Sequence, residues 1–118
     1  MKKLISWVEI PATDFLRAVE FYKEVLQIDL VPLDFGSEKM ACLPGDEGAI
    51  SLAPDFKPSI DGPIISLNAE DDIDGMISRV KASGGTILKE KTRIEAEGRG
   101  YFALFSDTEG NRLGIYGN

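Results

Sequence analysis

The stretch VEIPATDFLRAVEFYKEVL, residues 8–26, decides the fold. Its start completes a strand-like run from Leu4 to Ile10 that ends at Pro11. Thr13 is a suitable N-cap, and Asp14 suits the first turn of a helix. Apolar residues then recur at helical spacing, namely Leu16, Val19, Tyr22, Val25 and Leu26. The stretch predicts a strand followed at once by an amphipathic helix over residues 15–26.

Three shorter strands are predicted after this helix, at residues 28–33, 39–43 and 49–53. The turn-forming run Pro44-Gly45-Asp46 separates the last two, as a hairpin requires. The first half of the chain therefore has the order β-α-β-β-β.

The second half repeats this order. A strand-like run covers residues 63–69, and Asp72 opens a helix that Gly84-Gly85 closes. Three more strands are predicted at residues 86–88, 101–105 and 112–116. Residues 55–62 lack periodicity and contain Pro58 and Gly62, which is typical of a linker.

The fold class that follows is α+β, with two βαβββ modules whose curled mixed sheets surround a cleft. We expect module one at residues 1–54, the linker at 55–62 and module two at 63–118. Each module alone would leave one sheet face bare, so both should pack into a single domain, 1–118. Strand alternation gives one aliphatic face and one face of small, polar and aromatic groups. The second face fits either a cleft or partly solvated sheet, and we favour the cleft.

The composition of the chain limits the kinds of molecule that it is expected to bind. The chain has 118 residues and a net charge of −7, so it lacks the basic surface that nucleic acids and anionic membranes attract. No segment is long and apolar enough to span a bilayer, and no signal peptide is recognisable. We expect a cytoplasmic protein.

The chain contains no histidine and one cysteine, Cys42. It therefore cannot form a Ser-His-Asp or Cys-His relay, and it lacks the imidazoles of many zinc, nickel and iron sites. Cys42 fits a half-buried strand position better than a nucleophile.

Both ends of the chain resemble proteins of the glyoxalase/bleomycin resistance/extradiol dioxygenase family, the vicinal oxygen chelate superfamily. The likeness rests on residues 8–26, on Gly84-Gly85-Thr86, and on the closing run GYFALFSDTEGNRLGIY, residues 100–116. Enzymes of this family bind a divalent metal through histidine or glutamate on the first and last strands of each module. The resemblance places these four positions at Trp7, Ser51, Ile64 and Gly114. None is a good ligand, so we expect neither a metal nor another cofactor.

Other side chains are candidates for contact with a ligand in the cleft. Arg112 suits an anionic group, but an internal Glu9–Arg112 ion pair fits the sequence better. Trp7 and Tyr116 could stack on a planar ligand or simply fill the cleft. The predicted ligand-binding residues are Trp7, Ser51, Ile64, Ser66, Asn68, Arg112, Gly114 and Tyr116.

Three segments have more than one interpretation. The charged run of residues 89–99 fits a solvated loop better than a lid over the cleft. The acidic residues 70–74 suit a helix start and need no cation. Relatives usually carry glycine where this chain has Gln27, so either the helix cap differs or Gln27 accepts a left-handed conformation.

Three functions remain open at this point. The first is a metal-independent protein that binds a small, partly apolar molecule. The second is a lyase or isomerase of the glyoxalase kind with a shifted or absent metal, in which Glu9 is the catalytic acid or base. The third is an interaction module with a filled cleft. The resemblance also implies a homodimer.

Overall fold

The computed structural model describes residues 2–118 and contains two helices and eight strands. The first module consists of β1 (Val8–Pro11), α1 (Phe15–Leu26), β2 (Pro32–Asp34), β3 (Lys39–Cys42) and β4 (Gly48–Leu52). The second consists of β5 (Ser66–Glu70), α2 (Ile73–Ala82), β6 (Thr86–Arg93), β7 (Tyr101–Ser106) and β8 (Arg112–Gly117). The predicted order of two βαβββ modules is confirmed.

Each module forms one mixed, four-stranded sheet, with the strand orders β1-β4-β3-β2 and β5-β8-β7-β6. The first strand of each module runs parallel to the last, so that Ile10 lies beside Ile50 and Leu67 beside Ile115. A parallel pair needs a crossover connection, and the segment that contains the helix supplies it. As a result, β1 and β5 are edge strands of their sheets.

One apolar core joins the two modules, because α1 packs on β4 of the first sheet, α2 packs on the second sheet, and the two helices pack against each other. Ile10 and Ile50 of the first sheet point into this core, as do Phe105 and Ile115 of the second. Side chains alternate along a strand, so the residues between them lie on the opposite side of each sheet. That side carries no helix and is called the open face below.

The helix α1 spans the range that the periodicity predicts, but two details differ. Asp14 is the N-cap instead of Thr13, and its carboxylate accepts a hydrogen bond from the amide of Arg17 at 3.2 Å. Leu16 is 64% exposed, because the core-facing residues of the helix are Phe15, Ala18, Val19, Phe21, Tyr22 and Val25. The apolar stripe is therefore shifted by one residue from the expected one at its start.

Gln27 ends α1 in the left-handed conformation, with φ 55° and ψ 51°. Its amide donates to the carbonyl of Lys23 and so satisfies one of the last carbonyl groups of the helix. Of the two alternatives, Gln27 thus adopts the conformation that glycine would adopt at lower cost.

A buried polar network ties the β7–β8 turn of module two to module one. The Tyr22 hydroxyl donates to Asp107 Oδ2 at 2.6 Å, and Asn111 Nδ2 donates to the same oxygen at 3.0 Å. Asn111 Nδ2 also donates to the Pro11 carbonyl at 2.8 Å. Burial, together with the neighbouring charge of Asp107, raises the pKa of Tyr22 well above its ordinary value. The network therefore favours the neutral phenol of Tyr22.

Glu109, in the same turn, closes the N-terminus of α1. Its Oε1 accepts from the amides of Thr13 at 2.9 Å and Asp14 at 2.7 Å, and its Oε2 accepts from Arg17 Nε at 2.7 Å. Burial by itself raises the pKa of the Glu109 carboxyl, but the hydrogen bonds from Arg17 and the amides outweigh burial and lower this pKa overall. The orphan amides of the helix are thus satisfied from the other module.

Strand bounds differ from expectation at several strands, among them β5, which begins at Ser66 rather than Pro63. β1 begins at Val8 rather than Leu4, because β4 offers partners only from Gly48 onward and Leu4 is 86% exposed. β2 is limited to Pro32–Asp34. β6 extends to Arg93, so the solvated loop predicted for residues 89–99 is wrong for its first five positions. Among the described residues, neither helix has the length and apolar character that a membrane crossing requires.

Candidate functional site

The predicted site residues divide between the two sheets. Glu9 and Ser51 lie on the open face of the first sheet, and Trp7 directly precedes β1. The predicted site residues on or next to the second sheet are Ile64, Ser66, Asn68, Arg112, Gly114 and Tyr116. The predicted site residues of a single chain therefore form two groups, one for each module, which are called the first and the second half-site below.

In the first half-site a side-chain hydrogen bond joins two predicted residues. Ser51 Oγ donates to Glu9 Oε1 at 2.9 Å, and Ser51 is only 3% exposed whereas Glu9 is exposed. Trp7 is 41% exposed, so it does not fill a pocket within its own chain. The serine thus orients the carboxylate, which keeps its second oxygen available for a ligand.

In the second half-site, the parallel pairing of β5 with β8 brings Ser66 beside Gly114 and Asn68 beside Tyr116. A Cβ added to Gly114 would lie 2.6 Å from Ser66 Oγ and 3.4 Å from Ile64 Cγ2, so these three residues converge. Asn68 Oδ1 accepts from the Glu70 amide at 3.0 Å, which uses that oxygen within its own strand.

These residues do not suit a divalent cation. Indole, serine hydroxyl, isoleucine and glycine occupy the four positions that the family resemblance assigns to ligands, and none of them supplies a carboxylate, imidazole or thiolate. Over residues 2–118, no group of three or more cysteine, aspartate or glutamate side chains lies close enough to hold a metal ion.

The expected Glu9–Arg112 ion pair is not formed within the described part of the chain, because Arg112 belongs to none of its ion pairs. Arg112 Nε is shielded from solvent and has no hydrogen-bond partner among residues 2–118. Both side chains instead line a cavity of about 250 Å³. Phe56 and Lys57 of the linker, together with Pro63 at the start of module two, complete its wall.

A larger cavity of about 460 Å³ lies between the edge strands β1 and β5. Ser66 and Asn68 reach it from the second sheet, and Val8 and Ile10 reach it from the first. Leu26 and Ile28 also line it, together with residues of the segment 3–6 that precedes β1. Ile10 and Ile65 line both cavities, so the two spaces are neighbours along the same junction of the sheets.

Several residues of these cavities were not recognised in the sequence. Phe56 and Lys57 belong to a linker without periodicity, and only the isolated bridge between Ala53 and Phe56 indicates how it turns back.

Cys42 is exposed, so the half-buried position expected for it is wrong. The reason is register, because Ala41 takes the core-facing position of β3 and Cys42 falls on the open face.

Comparison with solved structures finds the same fold in several proteins of low sequence identity. A glyoxalase/bleomycin resistance protein from Albidiferax ferrireducens superposes with a TM-score of 0.72 at 19% identity, covering 98% of this chain and 100% of that one. TnmS3, an antibiotic binding protein from Streptomyces, gives 0.66 at 21%, covering 98% and 96%. The fosfomycin resistance protein FosX from Listeria monocytogenes gives 0.70 at 18%, covering 100% and 93%.

Comparison with curated proteins finds no match. The family model described as Glyoxalase/Bleomycin resistance protein/Dioxygenase superfamily matches residues 4–115, which is nearly the whole chain. Together with the paired βαβββ modules, this match shows that the chain belongs to the glyoxalase/bleomycin resistance protein/dioxygenase superfamily.

Proposed function

We propose that this protein binds a small, partly apolar organic molecule without the aid of a metal ion. The observation that carries the proposal is the chemistry of the two half-sites. They combine aromatic and aliphatic groups with a few polar side chains, which is the usual character of a small-molecule site. The antibiotic-binding relative TnmS3 is consistent with such a role, because it has the same fold.

The proposal includes a homodimer that completes the cleft. Large apolar side chains are exposed on or beside the open faces, including Trp7, Leu33, Phe35, Ile64 and Tyr116. The edge strands β1 and β5 also flank a groove with an apolar floor. Exposed apolar surface and unpaired strand edges are both features that a second subunit would cover. A first-sheet half-site of one subunit would then face a second-sheet half-site of its partner.

Metal analysis of the purified protein tests the first part. We expect less than one tenth of an equivalent of nickel, zinc, iron or manganese after incubation with each ion and gel filtration. A chelator should leave the melting temperature unchanged. One equivalent of bound metal that is lost in the variant Glu9→Gln would contradict the proposal, because it would reveal a shifted metal site.

Ligand binding is tested by thermal shift against a broad set of small metabolites and antibiotics, since a compound that binds only the folded chain raises its melting temperature. A true ligand should lose its effect in Tyr116→Ala, which removes an aromatic group of the second half-site. Leu16→Ala is the matched control, because Leu16 is an exposed apolar residue of α1. If no compound shifts the wild type, the cleft is not a binding site.

A metal-independent lyase or isomerase is the second candidate, favoured by the position of Glu9. Its carboxylate is oriented by Ser51 at 2.9 Å and lines the same cavity as Arg112, so it could exchange a proton with a bound molecule. A ligand found by thermal shift should then be converted by the wild type and bound without conversion by Glu9→Gln. An unchanged ligand after prolonged incubation with the wild type would leave binding as the function.

A further inference from the structure

The cavity around Arg112 has the features of a subsite for an anion. It lies where β1 ends, β8 begins and the linker passes over both, and its volume of about 250 Å³ would hold roughly eight waters at ~30 Å³ each. Apolar walls come from Phe56, Pro63, Ile65 and Leu113. The space therefore suits a short apolar group attached to a charged head.

The Arg112 side chain is partly buried, and one of its nitrogens, Nε, lacks a hydrogen-bond acceptor among the described residues. Its Nε is shielded from solvent and finds no acceptor among residues 2–118. Buried polar groups are almost always hydrogen-bonded, because leaving one unsatisfied costs free energy. An oxygen atom supplied by a ligand would remove this cost.

The carboxylate of Glu9, which lines the same cavity, does not accept a hydrogen bond from Arg112 Nε. Glu9 Oε1 accepts from Ser51 Oγ at 2.9 Å, and Glu9 forms no ion pair with Arg112 in the described chain. Lys57 adds a second positive charge to the exposed rim of the cavity. The lining thus carries two cations and one anion, a local charge of +1 in a chain whose net charge is −7.

We infer that this cavity binds a small organic monocarboxylate, with its carboxylate on the Arg112 guanidinium and its apolar part against Phe56, Pro63 and Ile65. A guanidinium matches the two oxygens of a carboxylate in a planar, bidentate geometry. A phosphate monoester fits less well, because it carries up to two negative charges and Glu9 lines the same space. The inference rests on the proposed small-molecule binding and names the chemical class of the ligand.

The test compares three probes of similar shape by calorimetry on the 118-residue chain: benzoate, benzamide and phenyl phosphate. We expect benzoate to bind at least tenfold more tightly than either of the others. Equal binding of benzamide would overturn the role of charge, and tighter binding of phenyl phosphate would overturn the assignment to a monocarboxylate.

Substitutions of Arg112 test whether this residue holds the carboxylate of the probe. Arg112→Met should weaken benzoate binding by at least tenfold, and Arg112→Lys should weaken it less, because lysine keeps the charge without the planar pair of donors. Arg99→Gln, which removes one positive charge from an exposed loop residue, should leave binding unchanged. Unchanged binding in Arg112→Met, or an equal loss in Arg99→Gln, would overturn the inference.

Stability gives a second readout that does not depend on the probes. Because Arg112→Met removes an unsatisfied buried donor, the ligand-free variant should melt at or above the temperature of the wild type. A melting temperature clearly below that of the wild type would show that the guanidinium stabilises the fold, which contradicts the unsatisfied donor on which the inference rests. If benzoate fails while apolar compounds still shift the wild type, this inference fails and the proposed function stands.

Discussion

The hydroxyl of Tyr22 in α1 donates to Asp107 Oδ2 of the β7–β8 turn at 2.6 Å, and the two residues are 0% and 5% exposed. This contact spans 85 positions of sequence and joins the two modules within the common core.

Tyr22→Phe tests the energetic weight of this contact. The change removes a buried hydrogen bond to a carboxylate, so we expect the free energy of unfolding to fall by about 1–3 kcal/mol. Urea denaturation followed by circular dichroism measures the loss. Tyr101→Phe is the matched control, since it keeps the aromatic ring beneath Lys91. Equal stability of wild type and Tyr22→Phe would show that the hydrogen bond contributes nothing.

The same residue predicts a dependence of stability on alkaline pH. Burial and the charge of Asp107 raise the folded-state pKa of Tyr22, so the folded chain retains a proton that the unfolded chain loses above about pH 10. The stabilisation is complete below about pH 10 and is lost as the pH rises toward the folded-state pKa. Unfolding free energies across this range should decline more steeply for the wild type than for Tyr22→Phe. Parallel declines would contradict the assignment.

Gly85, at the junction of α2 and β6, predicts a steric effect. An added Cβ would lie 2.7 Å from Val80 Cγ1, 2.9 Å from Phe21 Cε1 and 3.0 Å from the Ser106 carbonyl oxygen. Overpacking of this kind costs about 1–3 kcal/mol, so Gly85→Ala should lower the melting temperature. Gly62→Ala is the control, because no atom lies within 4 Å of its added Cβ. Similar melting temperatures for the two variants would be the contrary result.

The left-handed conformation of Gln27 leads us to expect that glycine at this position stabilises the protein. Its φ of 55° is costly for a residue with a side chain, so Gln27→Gly should raise the free energy of unfolding by about 0.5–1 kcal/mol. Glu24→Gly, at an exposed position inside α1, should instead lower it by about 1 kcal/mol. Chemical denaturation of both variants checks the opposite signs. A loss of stability in Gln27→Gly would mean that its side chain makes an essential contact.

Local periodicity was enough to predict α1 with its bounds, since the helix buries a continuous apolar stripe. It failed where pairing partners set the length of a strand. Leu4 and Ile5 continue the apolar run but are 86% and 67% exposed, because β1 pairs with β4 only from Val8. The first part of β6, residues 86–88, is predicted as a strand, whereas residues 89–93 resemble a charged loop in sequence. Arg93 nevertheless pairs with Tyr101, and Lys91 lies 4.6 Å from the centroid of the Tyr101 ring.

The open faces of the sheets could also be predicted, because alternation alone assigns Glu9 and Ser51 to the same side. The surroundings of Arg112 could not. The expected ion pair between Arg112 and Glu9 is inferred from the positions of their strands alone. In the structure the linker folds back and places Phe56 and Lys57 beside both side chains. No residue pattern in the linker signals this path.

The cap that Glu109 places on α1 has a consequence for the two modules as folding units. The amides at the start of the first helix find their acceptor in the last turn of the chain, and Asn111 likewise reaches back to Pro11 and to the amide of Ser59. Backbone groups of module one thus have their hydrogen-bond partners in module two, so neither module satisfies all of its own polar groups. A cut in the peptide chain between them would leave two fragments whose stable state is their complex.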